Sequence, residues 1–102
     1  MRIDELTAAL DELSWREQVD FELRERRPGR PVDPAIDDEV RRLARTLTPA
    51  MLDELAAHPG YEAWVLRLSP AVPGDDARGR AGRYRHHADA EVRYWAARLR
   101  DR

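Results

Sequence analysis

The chain has no cysteine, which excludes disulfide staples, thiolate nucleophiles and thiolate metal sites and leaves the redox compartment undetermined. Lysine and asparagine are also missing, so all 18 basic residues are Arg, the usage expected of a GC-rich bacterial genome. That bias weakens any argument resting on the choice of Arg over Lys. No apolar run approaches the roughly 18 residues that would span a membrane. The opening Met1-Arg2-Ile3-Asp4-Glu5 is too acidic and amphipathic for a secretory leader. These absences lead us to expect a soluble, cytoplasmic protein.

What remains is short and highly charged. With 102 residues, 37% charged and 42% hydrophobic, the chain is expected to form one domain around one small core. The net charge of −2 conceals a polarity. Residues 1–62 carry 9 Arg against 15 Asp or Glu, and residues 63–102 carry 9 Arg against 5 acids, so the two parts stand at −6 and +4.

Helical periodicity runs throughout, and no strand pattern competes with it. Ile3, Leu6, Leu10 and Leu13 share one helix face, with Asp4 and Glu5 in the first turn, where the helix dipole favours anions. Ser14-Trp15-Arg16-Glu17 has the form of a capping box. A second helix could therefore start there, with Trp15, Val19 and Leu23 facing inward and Phe21 off that line. The alternative is one helix over residues 3–26. Pro28-Gly29-Arg30-Pro31 ends helical structure in either case.

Asp33-Pro34 reads as an N-cap followed by Pro in the first turn, with Ile36, Val40, Leu43 and Leu47 as the inner stripe. Thr48-Pro49 repeats the device before Met51, Leu52 and Leu55, and His58-Pro59-Gly60 ends that helix. Tyr61, Trp64, Val65 and Leu68 begin the next. From 71 to 82 the sequence holds one Pro, three Gly and little apolar content. This stretch reads as a flexible insertion, with any helix weak before Tyr84. Asp89 is placed to cap a last helix carrying Val92, Trp95, Ala96 and Leu99, with Arg98, Arg100 and Arg102 near its C-terminal end.

One phrase recurs. Asp38-Glu39-Val40-Arg41-Arg42-Leu43-Ala44 returns as Ala90-Glu91-Val92-Arg93-Tyr94-Trp95-Ala96, and Tyr61-Glu62-Ala63-Trp64-Val65-Leu66 keeps its Glu and apolar stripe. His58 precedes Glu62 by four residues, as His87 precedes Glu91. An Asp-x-Glu-Val-Arg helix followed by a Pro-started, Leu-rich helix ending in Ala-Ala-His-Pro resembles the leucine-rich repeat variant and, more loosely, HEAT-type repeats, over residues 33–102. The middle unit departs from that pattern, with Ala63-Trp64 where Val-Arg is expected. The resemblance implies an all-α array of two to three stacked helical repeats used as a binding scaffold. Residues 1–27 would form its N-terminal cap, 28–33 a turn, and 34–102 the degenerate repeats.

No catalytic constellation accompanies the pattern. Ser14 and Ser69 lie at apparent caps, without a Gly-rich elbow or a spaced base. Gly79 and Gly82 lack the Lys-Ser or Lys-Thr ending of a phosphate loop. His86-His87-Ala88-Asp89-Ala90-Glu91 holds potential metal ligands, but adjacent His point to different sides of a helix, and a pair at helical spacing such as His87 and Glu91 is not a site. The reading is a non-enzyme with no cofactor and no metal.

The segment from Arg78 to His87 stands out. Arg78, Arg80, Arg83 and Arg85 alternate with Gly and Tyr84, a pattern able to track phosphates while the ring stacks on a base. A pI of about 5.9 argues against a dedicated nucleic-acid binder. Tyr94 falls off the inner stripe beside Arg93, which suits a contact surface. The leading expectation is a small bacterial adaptor or regulatory partner that binds another protein, with the product of a nearby gene as the candidate. Its contact face comprises Arg78, Arg80, Arg83, Tyr84, Arg85, Arg93 and Tyr94. A nucleic-acid-binding regulator using 78–85 is the alternative, no membrane is implied, and homodimerisation stays open.

Overall fold

The computed structural model describes residues 1–29, 31 and 33–101; Arg30 and Val32 of the expected turn, and Arg102, lie outside the described residues. The described chain is all-helical: α1 (Ile3–Arg26), α2 (Pro34–Ala44), α3 (Pro49–Ala56), α4 (Glu62–Leu68), a 3-10 turn (Ser69–Ala71), α5 (Ala77–Arg83) and α6 (Ala90–Arg100).

Four starts are capped by side chains, each satisfying a backbone N–H that the helix leaves open. Asp33 accepts from Ala35 at 3.0 Å, Thr48 from Met51 at 3.2 Å, Asp76 from Gly79 at 3.0 Å and Asp89 from Glu91 at 2.9 Å. At the α3–α4 turn Gly60 adopts φ +94°, the left-handed region that Gly enters without steric cost. Its N–H donates to Glu62 at 3.0 Å, which locks the entry to α4.

The N-terminal segment is one helix of 24 residues, and this changes its inner face. Leu6, Leu10 and Leu13 are buried against the core, whereas Trp15 and Val19 stand out in solvent. The expected inward stripe of Trp15 and Val19 is thus corrected. A continuous helix keeps the phase set by the three Leu, and Trp15 falls outside that phase. The residues of the anticipated capping box serve other groups: Ser14 accepts from Trp64, and Glu17 takes Arg67. The molecule measures 40 × 30 × 23 Å.

α4 lies between α2 and α6 and also packs on α3, so the three helices carrying the recurrent phrase lie side by side. It is apolar on nearly all sides, as a central helix must be. Trp64, Val65 and Leu68 join the larger core with α1, α2 and α3, and Leu66 joins a smaller one with Ala81, Val92, Ala96 and Leu99. Tyr84 packs against both.

The stretch read as a flexible insertion starts at the last residue of the 3-10 turn and holds a Gly74 turn at φ +79° and all but the last residue of α5. Arg80 anchors it. Both Arg80 and Asp75 have buried side chains, joined by Nε–Oδ2 and Nη2–Oδ1 contacts of 2.8 Å. Arg80 also reaches Asp53 at 2.9 Å and the Pro49 carbonyl at 3.1 Å, both on α3, while the Ser69 hydroxyl donates to Asp75. A bidentate, fully satisfied pair can hold a segment that has few apolar residues of its own.

Candidate interaction site

The most organised surface feature is a ladder of alternating rings and guanidinium groups across α4 and α6. On α4, Trp64 and Arg67 are three residues apart and share a face. The Arg67 guanidinium carbon lies 4.1 Å from the Trp64 ring centre and 4.8 Å from that of Trp95 on α6. Arg98, one turn beyond Trp95, lies 5.3 Å from Trp95 and 5.7 Å from Tyr94, and it donates to the Tyr94 hydroxyl at 2.8 Å. Tyr94 and Trp95 meet edge to face at 5.2 Å. The cluster therefore runs Trp64, Arg67, Trp95, Arg98 and Tyr94, with each cation within reach of two rings.

α1 fixes the inner end of this ladder. Glu17 accepts two bonds from Arg67, at 2.7 and 2.8 Å, which clamps the guanidinium beside both indole rings. The Trp64 indole N–H donates to Ser14 at 3.0 Å. Tyr61 reaches the same helix, donating to Asp11 at 2.9 Å. That hydrogen bond raises the Tyr61 phenol above its ordinary value, with smaller contributions from burial and from the carboxylate charge. The outer end is open: Tyr94 is 52% exposed and Trp95 is half-buried.

A cleft flanks the ladder on each side. One, of about 440 Å³, lies between Asp37 and Arg41 of α2 and Trp95 and Arg98 of α6. The other, of about 460 Å³, has Glu17, Phe21 and Arg24 of α1 on one wall and Glu91 and Trp95 of α6 on the other. Phe21, which the sequence leaves without a core role, is 49% exposed there.

The residues expected to form the contact face separate into four groups. Arg78, Arg83 and Arg85 are exposed. Arg80 and Tyr84 are withdrawn: Arg80 is the 4% exposed centre of the Asp75 pair, and Tyr84 is half-buried between the two cores, where desolvation pushes its phenol up. Arg93 is exposed but donates to the carbonyls of His87 and Ala88, at 2.6 and 2.9 Å, and so braces the loop before α6. Of the seven, only Tyr94 belongs to the ladder.

Trp64, Arg67, Trp95, Arg98 and Glu17 escape the sequence reading. A signal for four of them was present: Trp-x-x-Arg occurs on α4 and again on α6, 31 residues apart. Each Trp reads as core from its stripe, and each Arg reads as solvated. The pairing becomes visible only once the two helices are adjacent.

The His-rich segment is committed to local structure. His87 precedes α6, and its Nδ1 accepts from the Asp89 N–H at 3.0 Å. Among the described residues, no three His, Asp or Glu side chains converge as a metal site, and no helix is long and apolar enough to cross a membrane. Comparison of the chain with protein-family models, curated proteins and solved structures yields no match.

Proposed function

We propose that this protein is a small non-catalytic interaction module, an adaptor or regulatory partner that binds another protein through its Arg and aromatic face. The ladder ending in Tyr94 carries the reading. Trp, Tyr and Arg dominate the energetics of protein contacts, and side chains already held in place lose little entropy on binding. Here Tyr94 and Arg98 are presented on the rigid stack of Trp95, Arg67 and Trp64, between two clefts able to receive partner side chains. The side-by-side arrangement of α2, α4 and α6 fits the stacked-repeat scaffold implied by the recurrent phrase. Cytoplasmic location is part of the proposal.

Relative to the sequence expectation, the centre moves from Arg83 and Arg85 to Tyr94, Trp95 and Arg98. The nucleic-acid alternative loses two of its members, since Arg80 is buried and Tyr84 packs between the cores. The test is affinity capture from cell extract, followed by mass spectrometry, with two variants. Tyr94→Ala combined with Arg98→Ala should lower partner affinity about 30-fold or more, the size of a 2 kcal/mol hot spot. Arg83→Ala combined with Arg85→Ala should leave it within a few-fold. Equal capture by the first variant would refute the assignment. Loss of capture on nuclease treatment and at raised salt would favour nucleic acid instead.

A further inference from the structure

A second surface lies on the outer side of α1, away from the ladder. Its apolar centre is Trp15, 64% exposed, and Val19, 36% exposed, continued by the half-buried Leu23. These residues are spaced by four, so they form one stripe along a helix that extends well beyond its last buried Leu. A cleft of about 280 Å³ runs beneath them toward Asp33 and Ile36 at the start of α2.

The charges beside this stripe are self-complementary. On a helical wheel Glu12, Trp15, Arg16, Glu22, Leu23 and Arg26 all fall within about 60° of Val19. In an antiparallel pairing of two such helices centred on Val19, Trp15 meets the second copy's Leu23. Arg16 meets the second copy's Glu22, Glu12 meets its Arg26, and the two-fold axis repeats each contact. All four charged positions are matched. Glu12 and Arg26 have no ion-pair partner among the described residues. Arg16 is held against Glu39 of α2 through one nitrogen, Nη1, which orients the guanidinium and leaves its other nitrogens to the second copy. A parallel, in-register pair would instead oppose Glu12 to Glu12 and Arg26 to Arg26.

From this pattern we infer that the outer face of α1 is a homodimer interface in which two copies pair antiparallel about Val19. A single-signed partner would leave half of the stripe unmatched, whereas a second copy matches all of it. The interface lies on a different side of α1 from Phe21 and Glu17, so the dimer would present two ladders.

Sedimentation across a concentration series, together with charge exchange, tests the inference. Wild type should pass from monomer to dimer in the micromolar range. Glu12→Arg, which sets two Arg together at both ends, should weaken association about tenfold or more. Arg26→Glu should do the same, and Glu12→Arg with Arg26→Glu should restore it. These positions are exposed, so circular dichroism should remain that of wild type. Because the chain has no cysteine, Val19→Cys supplies a single thiol, which should oxidise to a covalent dimer where Ala50→Cys on α3 does not. Wild type that stays monomeric at high micromolar concentration would overturn the inference. So would a dimer indifferent to Glu12→Arg, or a double exchange that fails to restore pairing.

Discussion

Arg80 and Asp75 form a bidentate ion pair whose side chains are 4% and 3% exposed, five residues apart around the start of α5. Asp75 has no adjacent apolar residue in sequence and Arg80 only the small Ala81, so neither reads as buried. The pair takes the place of a hydrophobic anchor for a segment with little apolar content, and it ties α5 to α3 through Asp53 and the Pro49 carbonyl.

Breaking that pair should be costly, because a lone charge in the interior keeps its desolvation penalty without its partner. Asp75→Asn is expected to lower the unfolding free energy by about 3 kcal/mol, at the low end for a buried pair. Asp53→Asn removes a carboxylate whose side chain is 65% exposed, so its loss should stay within about 1 kcal/mol. Urea unfolding of the two variants beside wild type checks the ordering. Equal losses would mean that burial does not set the strength of the contact.

The same pair should shape the acid limb of stability. Burial alone would raise the Asp75 carboxyl, but hydrogen bonds from Arg80 and Ser69, together with the Arg80 charge, outweigh it and hold the group below its ordinary value. A carboxyl depressed in the folded state binds fewer protons than in the unfolded chain. Its contribution is therefore complete above the unfolded value near 3.9 and is lost as pH falls through the folded value. The stability gap between wild type and Asp75→Asn should be constant from about pH 7 to 5 and then narrow below about pH 4. Urea midpoints measured across that range test it, and a gap that widens toward acid would contradict the assignment.

Much of the fold is legible from local chemistry. Asp33-Pro34, Thr48-Pro49 and Asp89 mark helix starts that the structure places one residue later, because an N-cap and an early Pro act on the backbone beside them. The inner stripes of α2, α3 and α6 follow in the same way. What could not be read depends on distant groups. Trp15 looks inward only if a new helix begins at Ser14, and the hydroxyl that would cap it serves Trp64, 50 residues away. Arg80 resembles its neighbours Arg78 and Arg83 in sequence, and what distinguishes it is the acids brought around it, Asp53 from α3 and Asp75 from the turn at Gly74. The ladder is a further case: Trp-x-x-Arg on two helices has no meaning until α4 and α6 lie together.

Two glycines of α5 should respond differently to Ala. A Cβ at Gly82 meets nothing within 4 Å, and its φ is not positive. Gly82→Ala should therefore stabilise by about 0.5–1 kcal/mol through helix propensity. At Gly79 a Cβ would lie 2.3 Å from Oδ2 of Asp76, the side chain that caps α5. Gly79→Ala must displace the cap, worth about 1 kcal/mol, which cancels or reverses the same propensity gain. Thermal unfolding midpoints should rise for Gly82→Ala alone; a matching rise for Gly79→Ala would show that the cap adapts at no cost.

Arg67 offers a test of whether the ladder depends on guanidinium geometry or only on charge. Its guanidinium lies close to both Trp64 and Trp95 while two nitrogens bind Glu17, a set of contacts that the point charge of Lys cannot reproduce. Arg67→Lys should lower stability by about 1–2 kcal/mol, combining lost stacking with a lost second hydrogen bond. Because Trp95 carries Arg98 and Tyr94 on its far side, the substitution should also loosen the exposed end of the stack and weaken partner capture although it touches neither exposed residue. Glu17→Gln keeps the stacking but weakens the clamp, and it should show a smaller effect in both measurements. If Arg67→Lys matched wild type in stability and capture, charge alone would hold the face, and the ordered stack would not be what presents Tyr94.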